Sequence, residues 1–120
     1  MERGDLTYTL GDIAFLRRMW DTEMNDDNKR VIRQMIASGQ LEIVEGGIVQ
    51  PDEATTNYAD VLRNFAAGHD WLMETFGIKP KVGWQLDPWG HSSAMAMIFA
   101  ELGLESMYMA RIEPAMKNHL

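Results

Sequence analysis

Apolar residues recur along the chain at two spacings, one helical and one strand-like. Leu6, Thr7 and Tyr8 predict the tail of a strand. Ile13, Leu16 and Trp20 follow three or four residues apart and predict a first helix. Thr9 is placed as its N-cap, with Asp12 three residues on as a capping-box-like partner. Val31, Ile32, Met35 and Ile36 form the stripe of a second helix from about Asp27 to Ser38, closed by Gly39. Leu41 to Val44 is short and partly β-branched, and predicts a strand running into Gly46 and Gly47. Pro51, Asp52 and Glu53 interrupt the pattern, and Thr55 or Thr56 is the expected cap of a long third helix. Its stripe is Tyr58, Val61, Leu62, Phe65, Leu72 and Phe76, and Gly77 and Pro80 end it. Val82 to Leu86 predicts another strand. After the turn at Asp87 to Gly90, the His91, Ser92, Ser93 stretch caps a fourth helix with Met95, Ile98, Phe99 and Leu102 on its apolar face. Ser106 to Ala110 predicts a last strand, with Arg111 at its end.

Strands alternating with helices imply right-handed βαβ units, a parallel sheet and the α/β class. No internal repeat, low-complexity run or linker divides residues 1–120, so a single domain or a part of one is expected. In parallel α/β folds ligands bind beyond the carboxyl ends of the strands. Asp52 with Glu53, Asp87 with His91, and Arg111 all fall there, and are expected to face one crevice.

Composition narrows the function classes. With 46% hydrophobic and 24% charged residues the chain is ordinary for a globular protein. Lys and Arg number 11 against 18 Asp and Glu, a net charge of −7, which argues against a nucleic-acid partner. The absence of Cys removes disulfide scaffolds, thiol nucleophiles and thiolate zinc sites. The first residues, Met1 to Asp5, are charged and do not read as a signal peptide. No apolar run has the length of a membrane span, and no Asn lies in a glycosylation acceptor motif.

The turn at Asp87 is the strongest chemical signal. Pro88 forces Asp87 out of the helical region and holds it extended at the strand end. Trp89 then offers a flat ring beside a carboxylate, a common way of holding a sugar, and Gly90 allows a tight turn. A carboxylate there suits a nucleophile, a general base or a metal ligand. An ordinary Asx turn with a core tryptophan accounts for the same residues and is the simpler reading from residue types alone. Similar alternatives stand elsewhere. His91, four residues beyond Asp87, is a second ligand or a helix cap. His69 reads as a packed structural histidine and His119 lies at the chain end. Asp52 and Glu53 are acid/base candidates or helix-start carboxylates complementing the dipole. Arg111 binds substrate or forms a structural ion pair. The methionines from Met95 to Met109 read as core filler.

Taken together these residues carry a family resemblance. Trp84-Gln85-Leu86-Asp87-Pro88-Trp89-Gly90-His91-Ser92-Ser93 resembles the signature of the α-mannosidases of glycoside hydrolase family 38. Gly46-Gly47-Ile48-Val49, Asp52-Glu53-Ala54-Thr55-Thr56 with Tyr58, Gly68-His69-Asp70-Trp71-Leu72, Phe76-Gly77-Ile78-Lys79-Pro80 and Arg111-Ile112 resemble further family segments in the same order. The likeness covers essentially the whole chain and is closer to the lysosomal or vacuolar class.

The resemblance implies a retaining exo-α-mannosidase that removes terminal α-mannose from N-glycan oligosaccharides with the help of one zinc ion. It implies Asp87 as both nucleophile and zinc ligand. Trp89, where many relatives have Phe, then lines the sugar site, and Arg111 faces it. It implies a parallel β/α barrel-like sheet, present here only in part, and a lysosomal, vacuolar or secretory setting. The family's His-x-His-x-Asp segment is absent, since no His precedes His69. The later His ligand and the general acid/base are not matched either. Residues 1–120 are therefore expected to be an internal fragment of a single catalytic domain. The rest of that domain would complete the site, and the isolated piece is expected to be inactive. The alternative is a diverged, non-catalytic protein that binds glycans or other partners with part of the fold.

Overall fold

The computed structural model describes residues 6–112 and Ala115, so His119 lies outside the described residues. In chain order the elements are β1 (Tyr8–Leu10), α1 (Ala14–Thr22), α2 (Asp26–Ala37), β2 (Leu41–Ile43), α3 (Tyr58–Phe76), β3 (Val82–Gln85), α4 (Ser93–Glu101) and β4 (Ser106–Met109). The strands form two parallel pairs. In one, Tyr8 lies opposite Leu41 and Leu10 opposite Ile43. In the other, Val82 lies opposite Ser106 and Gln85 opposite Met109. Both strand pairs are joined by helical crossovers, as the alternation predicts. One hydrogen bond links the two sheets, from Glu45 N–H just past β2 to the Val82 carbonyl at 2.6 Å.

Local chemistry explains most helix ends. Asn25 Oδ1 caps α2 by accepting from the Asn28 N–H at 2.9 Å, with Asp26 and Asp27 in the first turn. Asn57 caps α3 through the Asp60 N–H at 3.0 Å, a role expected of Thr55 or Thr56. Gly77, at φ 69°, closes α3 in the left-handed conformation. Ser92 caps α4 through the Ala94 N–H at 3.1 Å, as its position suggests.

Helix α1 departs from expectation. Thr9 does not cap it, because Thr9 belongs to β1 and lies opposite Glu42. The helix begins after Ile13 with no side-chain cap. The Ile13 and Ala14 N–H groups donate instead to the carbonyls of Gly47 and Ile48, at 3.2 and 2.9 Å. Tertiary carbonyls thus satisfy donors that a cap would otherwise take.

Two apolar clusters hold these elements, and α3 runs through both. Its C-terminal half places Trp71 and Leu72 against Ile13, Leu16, Trp20, Leu41 and Ile43. Trp20, Trp71 and Phe76 meet edge to face there, with Trp20 and Phe76 centroids 4.8 Å apart. Its N-terminal half places Val61 and Phe65 against Met95, Ile98 and Phe99 of α4. Tyr58 and Leu62, expected in the stripe, are exposed, as is Val31 on α2. Met107, Tyr108 and Met109 on β4 are exposed as well. Among the described residues no helix is long and apolar enough to cross a membrane.

Candidate active site

Strand register builds the center of the site. Gln85 and Met109 are the last paired residues of β3 and β4, and the Ala110 N–H still reaches the Gln85 carbonyl at 3.3 Å. The same offset, carried two residues further, sets Asp87 opposite Arg111. The Arg111 Nε–H donates to Asp87 Oδ1 in an ion pair. The Arg111 guanidinium also lies 4.3 Å from the centroid of the Trp89 ring, in cation–π range. Asp87, Trp89 and Arg111 therefore form one cluster at the carboxyl ends of β3 and β4. All three are exposed, Trp89 by 61%, so the tryptophan is not a core residue, the simpler of its two sequence readings.

The segment after β2 converges on the same turn. Asp52 Oδ1 accepts from the Trp89 N–H at 2.5 Å, and the Ala54 N–H donates to the Trp89 carbonyl at 2.7 Å. Glu53 Oε2 accepts a hydrogen bond from the Ser92 N–H. Asp52 and Glu53 are thus not first-turn carboxylates of α3, which begins beyond Asn57. Gly90, at φ 93°, packs so near this segment that a Cβ would lie 3.3 Å from the Ala54 nitrogen. His91 is exposed and helps to line a cleft of about 220 Å³ with Glu53, Gln85, Met95 and Met109. His69 is a packed residue, its Nε2 lying 2.8 Å from the Glu45 carbonyl oxygen.

Two buried polar residues behind the turn do not stand out in the sequence. Gln85 Nε2–H donates to Glu45 Oε1 at 2.6 Å, and both side chains are buried. Glu45 adopts φ 56°, left-handed backbone that a β-carbon disfavours. Burial pushes its carboxyl up from 4.5 to about 8. The Gln85 hydrogen bond opposes that shift, and the negative charge of Asp12 adds to it. The one sequence signal for Glu45 is a charged residue between the apolar Val44 and the Gly46-Gly47 pair.

Among the described residues, no group of three or more His, Asp or Glu is arranged to hold a metal ion. Asp87 can supply one carboxylate ligand, whereas a zinc site takes three or four protein ligands. The described residues alone do not make a zinc site.

Comparison with known proteins gives this cluster its context. The profile of the glycosyl hydrolases family 38 N-terminal domain matches residues 1–120. The chain is 41% identical to the lysosomal alpha-mannosidase of Dictyostelium discoideum over 102 residues, 85% of this chain and 10% of that protein. It is 41% identical to alpha-mannosidase 2 of Homo sapiens over 108 residues, 90% of this chain and 9% of that protein. It is 40% identical to the alpha-mannosidase of Canavalia ensiformis over 107 residues, 88% of this chain and 11% of that protein. The chain spans about a tenth of the length of these relatives. A match over every residue, with the Asp87 turn in its midst, makes the chain a member of glycosyl hydrolase family 38, within the N-terminal domain.

Proposed function

We propose that this chain carries the nucleophile of a retaining exo-α-mannosidase that removes terminal α-mannose from N-glycans. The observation that carries the reading is the cluster of Asp87, Trp89 and Arg111 at the carboxyl ends of two parallel strands. Arg111 engages Asp87 Oδ1, and the second carboxylate oxygen, Oδ2, is the atom assigned to attack the anomeric carbon. That attack forms a carbon–oxygen bond to Asp87 and breaks the glycosidic bond. The leaving oxygen takes its proton from an acid outside this chain. In retaining glycosidases the acid stands roughly 5–5.5 Å from the nucleophile and later activates the water that releases the sugar. Trp89, exposed beside the carboxylate, offers a stacking face for the apolar side of a sugar ring.

Zinc belongs to the same proposal, with Asp87 as one ligand and the others on parts of the polypeptide beyond this chain. Such an ion would orient sugar hydroxyls and stabilise developing charge. The exposed apolar residues of β4 support the view that further parts of the domain pack there. Placement in a lysosome, a vacuole or the secretory pathway is supported by the name of the Dictyostelium relative.

The test uses the complete polypeptide that carries this segment. A fluorinated mannosyl fluoride slows breakdown of a glycosyl-enzyme, and peptide mapping should find the trapped sugar on Asp87. Asp87→Asn should abolish turnover of an aryl α-mannoside while leaving the circular dichroism unchanged. A sugar trapped elsewhere, or full activity in Asp87→Asn, would remove Asp87 from the role. The isolated 120-residue chain is expected to show no turnover.

A further inference from the structure

Backbone amides at strand ends need partners, and in the Asp87 turn they find them in a segment more than thirty residues earlier. Trp89 is bonded on both sides: its N–H to Asp52 Oδ1 and its carbonyl to the Ala54 N–H. Three residues on, the Ser92 N–H at the start of α4 is taken by Glu53 Oε2. Upstream of the turn, Gln50 Nε2–H donates to the Trp84 carbonyl at 3.1 Å. Asp52 is itself fixed, since its Oδ2 accepts from Thr55 Oγ1 at 2.8 Å and its carbonyl accepts from Thr56 Oγ1. A carboxylate accepting a backbone N–H makes a charge-assisted bond, stronger than a neutral one. Gly90 permits the close approach of the two segments.

We propose that Asp52 and Glu53 are positioning residues: together with Ala54 they clamp the backbone from Trp89 to Ser92 and so fix Asp87 and the Trp89 ring. The inference rests on the reading of Asp87 as the nucleophile. The carboxylates bond to backbone N–H groups, and the carboxylate contacts of Asp87 and the Trp89 ring are made by Arg111 instead. They act through the turn and transfer no proton. Loss of the clamp lets the nucleophile drift, and misplacement of about an ångström costs on the order of a hundredfold in rate.

The experiment compares Asp52→Ala, Asp52→Asn and Glu53→Ala with the parent in the complete polypeptide. Amide hydrogen exchange over residues 87–92 is read beside kcat, KM and the pH profile. Asp52→Ala should speed exchange at Trp89 and lower kcat about ten- to a hundredfold. Asp52→Asn keeps an oxygen that accepts from the Trp89 N–H, and should restore most of both. The two limbs of the pH–rate profile should stay in place in all three variants. Unchanged exchange at Trp89 in Asp52→Ala and at Ser92 in Glu53→Ala, or a lost pH limb in any variant, would overturn the clamp. Should Asp52→Ala fail to fold, Glu53→Ala decides the matter, since it removes the oxygen that takes the Ser92 N–H and should speed exchange there. Activity in Asp87→Asn would instead overturn the nucleophile reading, which amide exchange does not depend on.

Discussion

The side-chain amide of Gln85 donates to the carboxyl of Glu45 across 2.6 Å, in a place where neither side chain meets solvent. Glu45 Oε2 and Gln85 Oε1 have no hydrogen-bond partner among the described residues. Glu45 also turns its main chain into the left-handed region, and its carbonyl oxygen meets His69 at 2.8 Å. The end of β2, the middle of α3 and the end of β3 are therefore tied at one buried polar point, two residues before Asp87.

That point makes stability depend on pH. Burial raises the Glu45 carboxyl from 4.5 to about 8, so between those values the folded chain holds a proton that the unfolded chain has lost. Native stability from this group is complete below about 4.5 and disappears as pH rises through 8. The loss should be on the order of a few kcal/mol. Thermal melts from about pH 5 to 9 should show Tm falling toward the alkaline end, and Glu45→Gln should flatten that slope. An unchanged slope in Glu45→Gln would assign the effect to another group.

Helix α3 crosses the loop after β2 at Gly68. A Cβ at this position would fall directly onto the Gly46 carbonyl oxygen, with backbone of Gly47 behind it. Backbone cannot step aside as a side chain can, so Gly68→Ala should destabilise the fold by about 2 kcal/mol or more. Urea unfolding should show a lower midpoint with an unchanged m-value.

The ion pair of Arg111 with Asp87 separates stability from activity. Both side chains are substantially exposed, at 45% and 70%. Arg111→Ala should therefore change stability by less than about 1 kcal/mol. In the complete polypeptide the same variant should lower kcat/KM by roughly tenfold or more, because Arg111 orients Asp87 and misplacement of a reacting group by about an ångström costs on the order of a hundredfold. Melting temperature and steady-state kinetics on one preparation check both halves.

Helix α3 should respond to its cap. Asn57→Ala removes the oxygen that takes the Asp60 N–H, and should cost about 1 kcal/mol, whereas Asn57→Ser should recover most of it. Thr55→Ala leaves that cap untouched, although sequence spacing makes Thr55 a candidate. Differential scanning calorimetry of the three variants distinguishes the capping residue.

Much of the candidate site is legible in the order of residues alone. The Asp87-Pro88-Trp89-Gly90 turn is punctuated by a proline and a glycine whose backbone effects are local. The alternation of strands and helices predicts that Arg111 and Asp52 come to the same end of the sheet as Asp87. Glu45 and Gln85 are hidden from such reasoning because their importance lies in mutual burial, to which neighbours in sequence contribute little. Thr9 misleads for a related reason. Its helix-cap chemistry is genuine, but pairing with Leu41 to Ile43 takes Tyr8 to Leu10 into a strand, and carbonyls of Gly47 and Ile48 do the capping instead.

The sequence by itself determined the order of elements, the parallel α/β class, most of each apolar face and the turn that bears Asp87, because periodicity, proline and glycine act within a few residues. Only the tertiary structure decided which strands pair, that Arg111 bridges Asp87 and Trp89, that Asp52 and Glu53 hold the turn rather than start a helix, and that Glu45 keeps its proton. Each of those depends on register or burial between segments more than twenty residues apart, and such distances are set by packing the whole chain.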